Sequence, residues 1–317
     1  MTAKQAAEFL MARDNFLILT HLRPDGDTIG CAAGLCRALR RVGKEAYVLE
    51  NPEATSLFTP YLEGLLARSG YEPKTVISVD IAARSLFPDN AVKYVDRVDL
   101  AIDHHPSFEA FGQENIVRPE AGACGELVYD ILRHLTAIDA EIALPLYVAI
   151  ATDTGGFQFS NTTAYTHIVA AALMETGIDY RTVNKVFFRT KSRKRLALEA
   201  DMLTNLEYFD RERVAFLYVP RSLMTRIQAT ESDAEELSSL GAQIQGVDCA
   251  VTFRELGEGE WKLSVRTGER VNATEVCRAM GGGGHARAAG CTVKAELSEV
   301  KRRCLAAIAA NAADFEG

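Results

Sequence analysis

Aspartate and histidine residues recur in four short motifs along the first half of the chain. The six that could bind metal are His21, Asp25, Asp27, Asp80, His104 and Asp153. Four carboxylates and two imidazoles can hold two divalent ions if one carboxylate bridges them. Oxygen-rich sites suit Mg²⁺ or Mn²⁺, and imidazole shifts the preference toward Mn²⁺. Because two such ions can activate a shared water and clamp a phosphoryl group, these residues predict metal-assisted hydrolysis of a phosphate ester or anhydride.

Each motif taken alone has a simpler explanation. Asp27 or Thr28 could cap the helix that is predicted to begin there, and Asp25 could occupy an ordinary turn. Capping explains one carboxylate, but not two carboxylates and a histidine within seven residues. Asp153 could begin a glycine turn, although an aspartate at a helix C-terminus faces the negative end of the helix dipole. A bound cation would remove that penalty.

Three apolar runs must position these side chains. Phe16–Leu19, Thr75–Val79 and residues 98–102 are branched-aliphatic and predict buried strands, each followed by Asp or His. Because the carboxyl ends of parallel strands share one sheet edge, the motifs should meet there. A fourth strand is predicted at 45–49, and helices at 55–68, 124–135, 140–151 and 163–175. This alternation predicts an α/β fold with a doubly wound, mostly parallel sheet.

The pattern changes beyond residue 206. Strands are predicted at 214–219, 249–253 and 261–265, with a turn at 257–259 and a closing helix at 298–311. The run Gly281-Gly282-Gly283-Gly284-His285 exposes backbone amides and predicts an anion-binding loop, with a plain flexible linker as the alternative. We therefore expect a catalytic domain at 1–180, a connecting segment at 181–206 and a substrate-binding domain at 207–317.

Composition and charge favour a soluble protein over one that spans a membrane or binds long nucleic acid. The 317 residues are 48% hydrophobic and 25% charged, as expected of a soluble chain with real cores. The net charge of −8 argues against a grip on long nucleic acid. Seven basic residues between Arg181 and Arg195 are either a solvated helix face or the lining of an anion cleft. No stretch predicts a membrane span or signal peptide, and scattered cysteines predict reduced thiols, so a cytoplasmic location is expected.

The motifs together resemble the DHH phosphoesterase superfamily. His21-x-x-Pro24-Asp25-Gly26-Asp27, Asp80, Asp103-His104-His105 and Thr152-Asp153-Thr154-Gly155 follow its motif order, and the glycine run with His285 resembles its smaller, mixed α/β DHHA1 domain. The resemblance implies one Mn²⁺ on His21, Asp25 and Asp80, and a second on Asp27, Asp80, His104 and Asp153. It further implies that His105 acts on the phosphate or leaving group and that Asp103 orients the histidines. Substrate would be bound by Arg266, Gly283, Gly284 and His285.

The activity implied is hydrolysis of short oligonucleotides, such as 5′-phosphorylated dinucleotides, to mononucleotides, or removal of the 3′-phosphate of pAp. Short oligonucleotides and nucleotide bisphosphates are thus the expected partners, and a homodimer the expected assembly. Alternatives are a single-strand exonuclease, an inorganic pyrophosphatase or a non-catalytic nucleotide-binding regulator. Ser192-Arg193-Lys194 matches a pyrophosphatase tripeptide, but it falls in the connecting segment and not near the C-terminus.

Overall fold

A five-stranded parallel sheet organises the first of two units, Met1–Thr190, in a computed structural model that describes residues 1–234 and 237–312. The strand order is β2-β1-β3-β4-β5, and every neighbouring pair is parallel. The strands are β1 (Phe16–Leu19), β2 (Ala46–Val48), β3 (Thr75–Val79), β4 (Leu100–Asp103) and β5 (Glu114–Val117). This is the doubly wound parallel sheet that the sequence predicts, with β5 as an additional strand.

Both faces of this sheet are buried because its strands are apolar at successive positions. Phe16 and Ile18 of β1 face one core, whereas Leu17 and Leu19 face the other. Helices cover the larger core, and the 3₁₀ segment Asp89–Arg97 covers the smaller one with Ala91, Tyr94 and Val95. The helices of this unit are α1 (Ala3–Met11), α2 (Gly26–Arg41), α3 (Cys124–Leu132), α4 (Ala140–Asp153), α5 (Ala164–Glu175) and α6 (Tyr180–Asn184).

Two predictions for this unit need correction. The helix expected at 55–68 is only a 3₁₀ turn at Thr59–Leu62, because Pro60 limits the backbone and Gly64 adopts a positive φ of 71°. Helix α2 begins at Gly26, not at Asp27 or Thr28. Its cap is Asp25, whose carboxylate accepts the Asp27 and Thr28 N–H groups at 3.0 and 3.2 Å. The residue that caps α2 is therefore Asp25, and not Asp27 or Thr28.

Three glycines on one face of α2 allow α4 to pack closely against it. Gly26, Gly30 and Gly34 are spaced by four residues, so they share that face. A Cβ atom at Gly30 would lie 2.2 Å from the Pro145 carbonyl oxygen, and one at Gly26 would lie 2.2 Å from Thr152 Oγ1. This close approach brings the C-terminal end of α4 beside the N-terminal end of α2.

The second unit, Lys191–Gly317, is built on a mixed six-stranded sheet of order β10-β11-β9-β8-β7-β6. Among the described strands of this second sheet, only the β7–β8 pair is parallel. The strands are β6 (Glu207–Phe209), β7 (Val214–Val219), β8 (Cys249–Gly257), β9 (Glu260–Thr267), β10 (Gly283–His285) and β11 (Ala288–Lys294). The helices are α7 (Arg193–Thr204), α8 (Arg221–Arg226), α9 (Glu231–Ala234), α10 (Ala273–Arg278) and α11 (Leu297–Asn311).

The glycine run forms an edge strand where the sequence predicts a loop. Gly283, Gly284 and His285 pair with Gly290, Ala289 and Ala288 of β11. Gly284 has a φ of 143°, and a Cβ atom there would lie 2.6 Å from the Ala289 Cα. Because Gly284 has no side chain, its backbone can approach Ala289 closely enough for the two strands to pair.

The basic segment combines a short helix, a π turn at Lys185–Arg189 and the start of α7. Lys191 Nζ and Arg195 Nε lie 2.8 and 3.1 Å from the two carboxylate oxygens of Glu199. Glu199 of α7 thus neutralises part of the positive charge of the basic segment. Across the described ranges of both units, no helix has the length and apolarity needed to cross a membrane.

The α2–α4 contact gives a test of the fold. Gly30→Ala should lower the free energy of unfolding by about 1–3 kcal/mol, because the new methyl group meets the rigid backbone of α4. Gly34→Ala is the matched control, since its methyl group would meet the movable end of Leu146 at 2.8 Å and alanine has the better helix propensity, by about 1 kcal/mol. Urea denaturation measures both variants. Equal losses at the two positions would contradict the proposed packing.

Candidate metal centre

The predicted ligands meet at the point where the order of the parallel sheet reverses. Strands β1 and β3 are neighbours there although they are not consecutive, and open α/β sheets bind ligands beyond the carboxyl ends of such a pair. The first motif follows β1 and Asp80 follows β3. Asp103 ends β4, next to His104, and Asp153 reaches the same edge as the last residue of α4.

His21 presents one ring nitrogen to two carboxylates. Its Nδ1 lies 2.9 Å from the Leu22 carbonyl oxygen, so this nitrogen donates its proton to the backbone. The other nitrogen, Nε2, lies 3.4 Å from Asp25 Oδ1 and 3.7 Å from Asp80 Oδ2. Nε2 donates a proton to these acidic oxygens when the ring is charged, and it offers a lone pair to a cation when the ring is neutral.

Asp80 occupies the middle of the centre in a strained conformation. Its φ of 59° is uncommon for a residue with a side chain, and its N–H donates to the Ile102 carbonyl at 2.8 Å. The carboxylate is buried, and its two oxygens face different histidines. Oδ2 faces His21, whereas Oδ1 lies 3.6 Å from His104 Nε2 and has no hydrogen-bond partner in the described part of the chain.

Asp27 lies between the N-terminal ends of two helices. It belongs to the first turn of α2, and its carboxylate accepts the N–H groups of Cys124 and Gly125, the first residues of α3, at 2.6 and 2.9 Å. Helix α3 has no side-chain cap of its own. Asp27 therefore provides that cap from a distant part of the chain and gains stabilisation from both helix dipoles. The Cys31 thiol also donates to Asp27 Oδ1, at 3.2 Å.

His104 faces three carboxylates at once. Its Nδ1 donates to the Ala121 carbonyl at 3.1 Å, which fixes the ring and leaves Nε2 free to act as a ligand. Nε2 lies 3.8 Å from Asp27 Oδ2, 3.6 Å from Asp80 Oδ1 and 3.5 Å from Asp153 Oδ2. The centre therefore brings residues of all four motifs together around one nitrogen.

Asp153 is held in place by Asn161. The Asn161 amide donates to the Asp153 carbonyl at 3.1 Å and approaches Asp153 Oδ2 at 3.4 Å. The same amide donates to the Gly122 carbonyl at 2.8 Å. Gly122 follows Ala121, whose carbonyl orients His104, so one asparagine links the surroundings of two predicted ligands.

His105 and Asp103 form a separate pair at the rim. Asp103 Oδ1 accepts the His105 backbone N–H at 2.6 Å and lies 2.9 Å from His105 Nδ1. The Asp103 side chain is buried, whereas the His105 side chain is 41% exposed. Through this hydrogen bond, Asp103 raises the pKa of His105, although partial burial of the ring opposes that effect. The pair can present a protonated imidazole next to the centre.

The remaining groups have opposed pKa shifts. Burial raises the pKa of Asp27 and Asp80, and neighbouring carboxylates raise it further. Burial also raises the pKa of Asp153, and the nearby His104 imidazole opposes that rise only in part. Burial also acts on His21 and Asp25, but their mutual hydrogen bond and attraction prevail, so the pKa of His21 is raised and that of Asp25 lowered. The centre thus concentrates negative charge that protons or cations must compensate.

Three overlapping groups of residues at this centre could each hold a metal ion, because the ligand atoms within each group lie within 4.8 Å of one another. The groups are His21, Asp25 and Asp80; Asp27, His104 and Asp153; and Asp80, His104 and His105. The unpartnered Oδ1 of Asp80 is the observation that best fits a metal, because a buried carboxylate oxygen without a hydrogen bond is costly. The oxygen and imidazole donors suit hard divalent ions.

The four residues expected to bind substrate all lie in the second unit. Gly283, Gly284 and His285 are exposed, and Arg266 of β9 is partly buried, which lowers its pKa. Ala288 pairs with His285 on one side and with Arg266 on the other. Since directly paired residues project to the same face of a sheet, His285 and Arg266 share one face, with a small alanine between them.

Sequence reasoning missed the residues that hold the ligands. Cys31 is one helical turn after Asp27, and that spacing could have identified it. No sequence pattern identified the α3 backbone amides, which are distant in sequence from Asp27, or Asn161, which carries no charge. All seven cysteines are free and buried.

Comparison with known proteins agrees with this arrangement. The chain matches the description "DHH family, N-terminal domain" over residues 15–150 and "DHHA1 domain" over residues 212–314. A Thermus thermophilus protein described as "Bifunctional oligoribonuclease and PAP phosphatase NrnA" is 31% identical over 320 residues, covering 95% of this chain and 92% of that protein. The chain belongs to the DHH family. It is thus a hydrolase of the DHH phosphoesterase family.

Other DHH proteins are similar over most of their length. The Bacillus subtilis protein of the same description is 26% identical over 288 residues, covering 88% of this chain and 90% of that protein. An "exopolyphosphatase-related protein" from Bacteroides fragilis has the same fold, with a TM-score of 0.86, 23% identity, and coverage of 97% of this chain and 95% of that one.

The buried charge of this DHH centre can be tested by stability measurements in a chelator. Asp80→Asn should raise the free energy of unfolding at neutral pH by about 1–3 kcal/mol, because it removes an unpartnered buried charge. Since the pKa of Asp80 is raised in the fold, the penalty of its charged form applies above that pKa and disappears as the pH falls through it. The gain should therefore shrink toward acid pH in chemical denaturation experiments.

Asp139→Asn serves as the control with the opposite sign. Asp139 caps α4 through the Ile142 N–H and pairs with Arg41, so its charge is stabilising. Its replacement should lower the free energy of unfolding. An Asp80→Asn variant that is less stable than the wild type in chelator would contradict the uncompensated charge at the centre.

Proposed function

We propose that this DHH protein hydrolyses short oligoribonucleotides, including 5′-phosphorylated dinucleotides, to mononucleotides and removes the 3′-phosphate of pAp. The observation that supports this most directly is the set of six acidic and histidine side chains around Asp80. Relatives over nearly the full chain are described as bifunctional oligoribonuclease and PAP phosphatase. Free, buried cysteines agree with a reducing, cytoplasmic setting.

In this proposal His21, Asp25 and Asp80 hold one divalent ion. Asp27, Asp80, His104 and Asp153 hold the second, so Asp80 is shared between them. The opposed directions of the two Asp80 oxygens, toward His21 and toward His104, support the shared role. The donor set suits Mn²⁺, with Mg²⁺ as the hard-ion alternative.

When bound, such ions supply an activated water and neutralise charge on the phosphoryl oxygens. The protein groups then control protons and position. His105 is the side chain placed to donate a proton to the leaving oxygen, because Asp103 holds its Nδ1 and leaves the Nε2 edge open. Asp103 acts through His105 as the positioning residue.

In this proposal the second unit supplies substrate-binding groups of its own. Arg266 and His285 offer cationic and hydrogen-bonding groups on one sheet face, and the Gly283–Gly284 backbone adds exposed amides. Such groups suit a terminal phosphate. The net charge of −8 disfavours long nucleic acid, which is consistent with short substrates.

A substrate panel tests the function as a whole. Purified protein with Mn²⁺ is incubated with a 5′-phosphorylated diribonucleotide, pAp, long single-stranded DNA and pyrophosphate, and the products are separated by chromatography. The diribonucleotide and pAp should be converted, and a chelator should stop both reactions. Preferred cleavage of the long DNA would indicate an exonuclease, and preferred cleavage of pyrophosphate would indicate a pyrophosphatase.

The role of His105 can be tested through the leaving group. His105→Asn should reduce kcat on the dinucleotide by about 10²–10⁴-fold, because the sugar oxygen of the departing mononucleotide needs a proton. A p-nitrophenyl phosphodiester leaves without protonation, so its hydrolysis should change much less. His134→Asn provides a control histidine outside the centre. Equal loss on both substrates would show that His105 acts on the metal centre or on folding instead.

A further inference from the structure

The segment that follows Asp153 carries two phenylalanines with different surroundings. Phe157 is packed: its ring stacks on His167 at 5.3 Å and lies 6.2 Å from the Tyr147 ring. Phe159, only two residues later, is 61% exposed. Isolated exposed apolar residues are common on protein surfaces, so exposure alone assigns no role to Phe159. Its attachment to the metal centre distinguishes it.

The Phe159 ring has a prepared support. It lies over Gly155, where φ is 58° and a Cβ atom would be only 2.5 Å from the ring carbons. The Phe159 N–H donates to the Thr154 carbonyl at 3.0 Å. The space normally taken by a side chain at Gly155 is therefore filled by the Phe159 ring, beside the end of α4.

The same segment is tied to a predicted metal ligand. Asn161, two residues after Phe159, donates to the Asp153 carbonyl and to the Gly122 carbonyl. Gly155, under the ring, is two residues after Asp153. The exposed ring is thus carried by a short segment that is hydrogen-bonded to the backbone of Asp153 and Thr154.

From this arrangement we propose that Phe159 is a stacking platform for a nucleobase of the substrate. The inference rests on the proposed function, since it requires a nucleotide whose phosphate occupies the centre. An aromatic face suits any base, because every base has a π face, so the platform contributes affinity without sequence preference. It also lets the first unit contact a nucleoside with its own residues.

Steady-state kinetics of three variants test the platform. Phe159→Ala and Phe159→Leu should each raise KM for the 5′-phosphorylated diribonucleotide roughly tenfold with kcat nearly unchanged, since stacking contributes equally to substrate and transition state. Phe159→Tyr should remain close to the wild type because it keeps the aromatic face. Leucine keeps apolar cover over Gly155, so it separates stacking from packing.

An abasic dinucleotide, which keeps the 5′-phosphate and the diester, provides the decisive comparison. Its KM should be the same in the wild type and in all three variants. Val92→Ala, at another exposed apolar side chain (56% exposed), is the control for surface truncation and should have no effect on either substrate. Equal KM increases on the base-bearing and abasic substrates would overturn the platform, as would a Phe159→Leu variant that behaves like the wild type.

Binding can be followed without turnover. A dinucleotide with 2-aminopurine bases and a non-hydrolysable linkage should lose fluorescence on binding to the wild type, and the loss should be smaller with Phe159→Leu at saturation. Unchanged quenching in that variant would refute stacking on this ring. A wild type that cleaves no dinucleotide would instead refute the proposed function, so the two failures are distinguishable.

Discussion

Repulsion among buried carboxylates is the constraint on which the first unit depends. Asp27 and Asp80 are buried. Asp25 approaches His21 Nε2 and Asp153 approaches His104 Nε2, and both of these nitrogens also face Asp80. Such a cluster is unfavourable in a medium of low dielectric constant unless positive charge or dipoles oppose it. The features around it supply that opposition in part: the N-terminal ends of α2 and α3, the imidazoles of His21 and His104, and backbone N–H groups.

The packing of α2 against α4 determines where this opposition acts. The glycine face of α2 allows backbone-to-backbone approach, so the start of α2 lies beside the end of α4. Asp27 therefore gains two favourable helix dipoles, whereas Asp153 lies at an unfavourable helix end and is held by Asn161. Asp27 therefore has hydrogen-bond donors that Asp80 Oδ1 lacks, although burial and neighbouring carboxylates still raise its pKa. Such incompletely compensated negative charge favours binding of cations.

The two units arrange their polar side chains differently because their sheets differ. The parallel sheet places its polar residues at strand ends, where side chains converge on one point. The mixed sheet places Arg266 and His285 on one face, separated by Ala288, so that these groups are spread at strand spacing. Convergence suits metal binding, and a spread of donors suits an extended ligand. The DHH and DHHA1 matches correspond to these two kinds of sheet.

The sequence by itself determined the parallel fold of the first unit and the family, because apolar runs and the motifs that follow them are local patterns. Thr75–Val79 and Val214–Val219 are predicted with their observed limits. Local pattern was insufficient at 55–68, where apolar spacing suggested a helix that Pro60 and Gly64 prevent. It was also insufficient at Gly283–His285, since pairing with β11 requires a distant strand.

Only the tertiary structure decided how each side chain at the centre is used. The positive φ of Asp80, the capping of α3 by Asp27 and the attachment of Asp153 to Asn161 depend on contacts between segments far apart in the chain. A linear pattern records which residues are present and their spacing. It does not record which backbone amides or carbonyls a fold brings to them, and those partners decide orientation and charge.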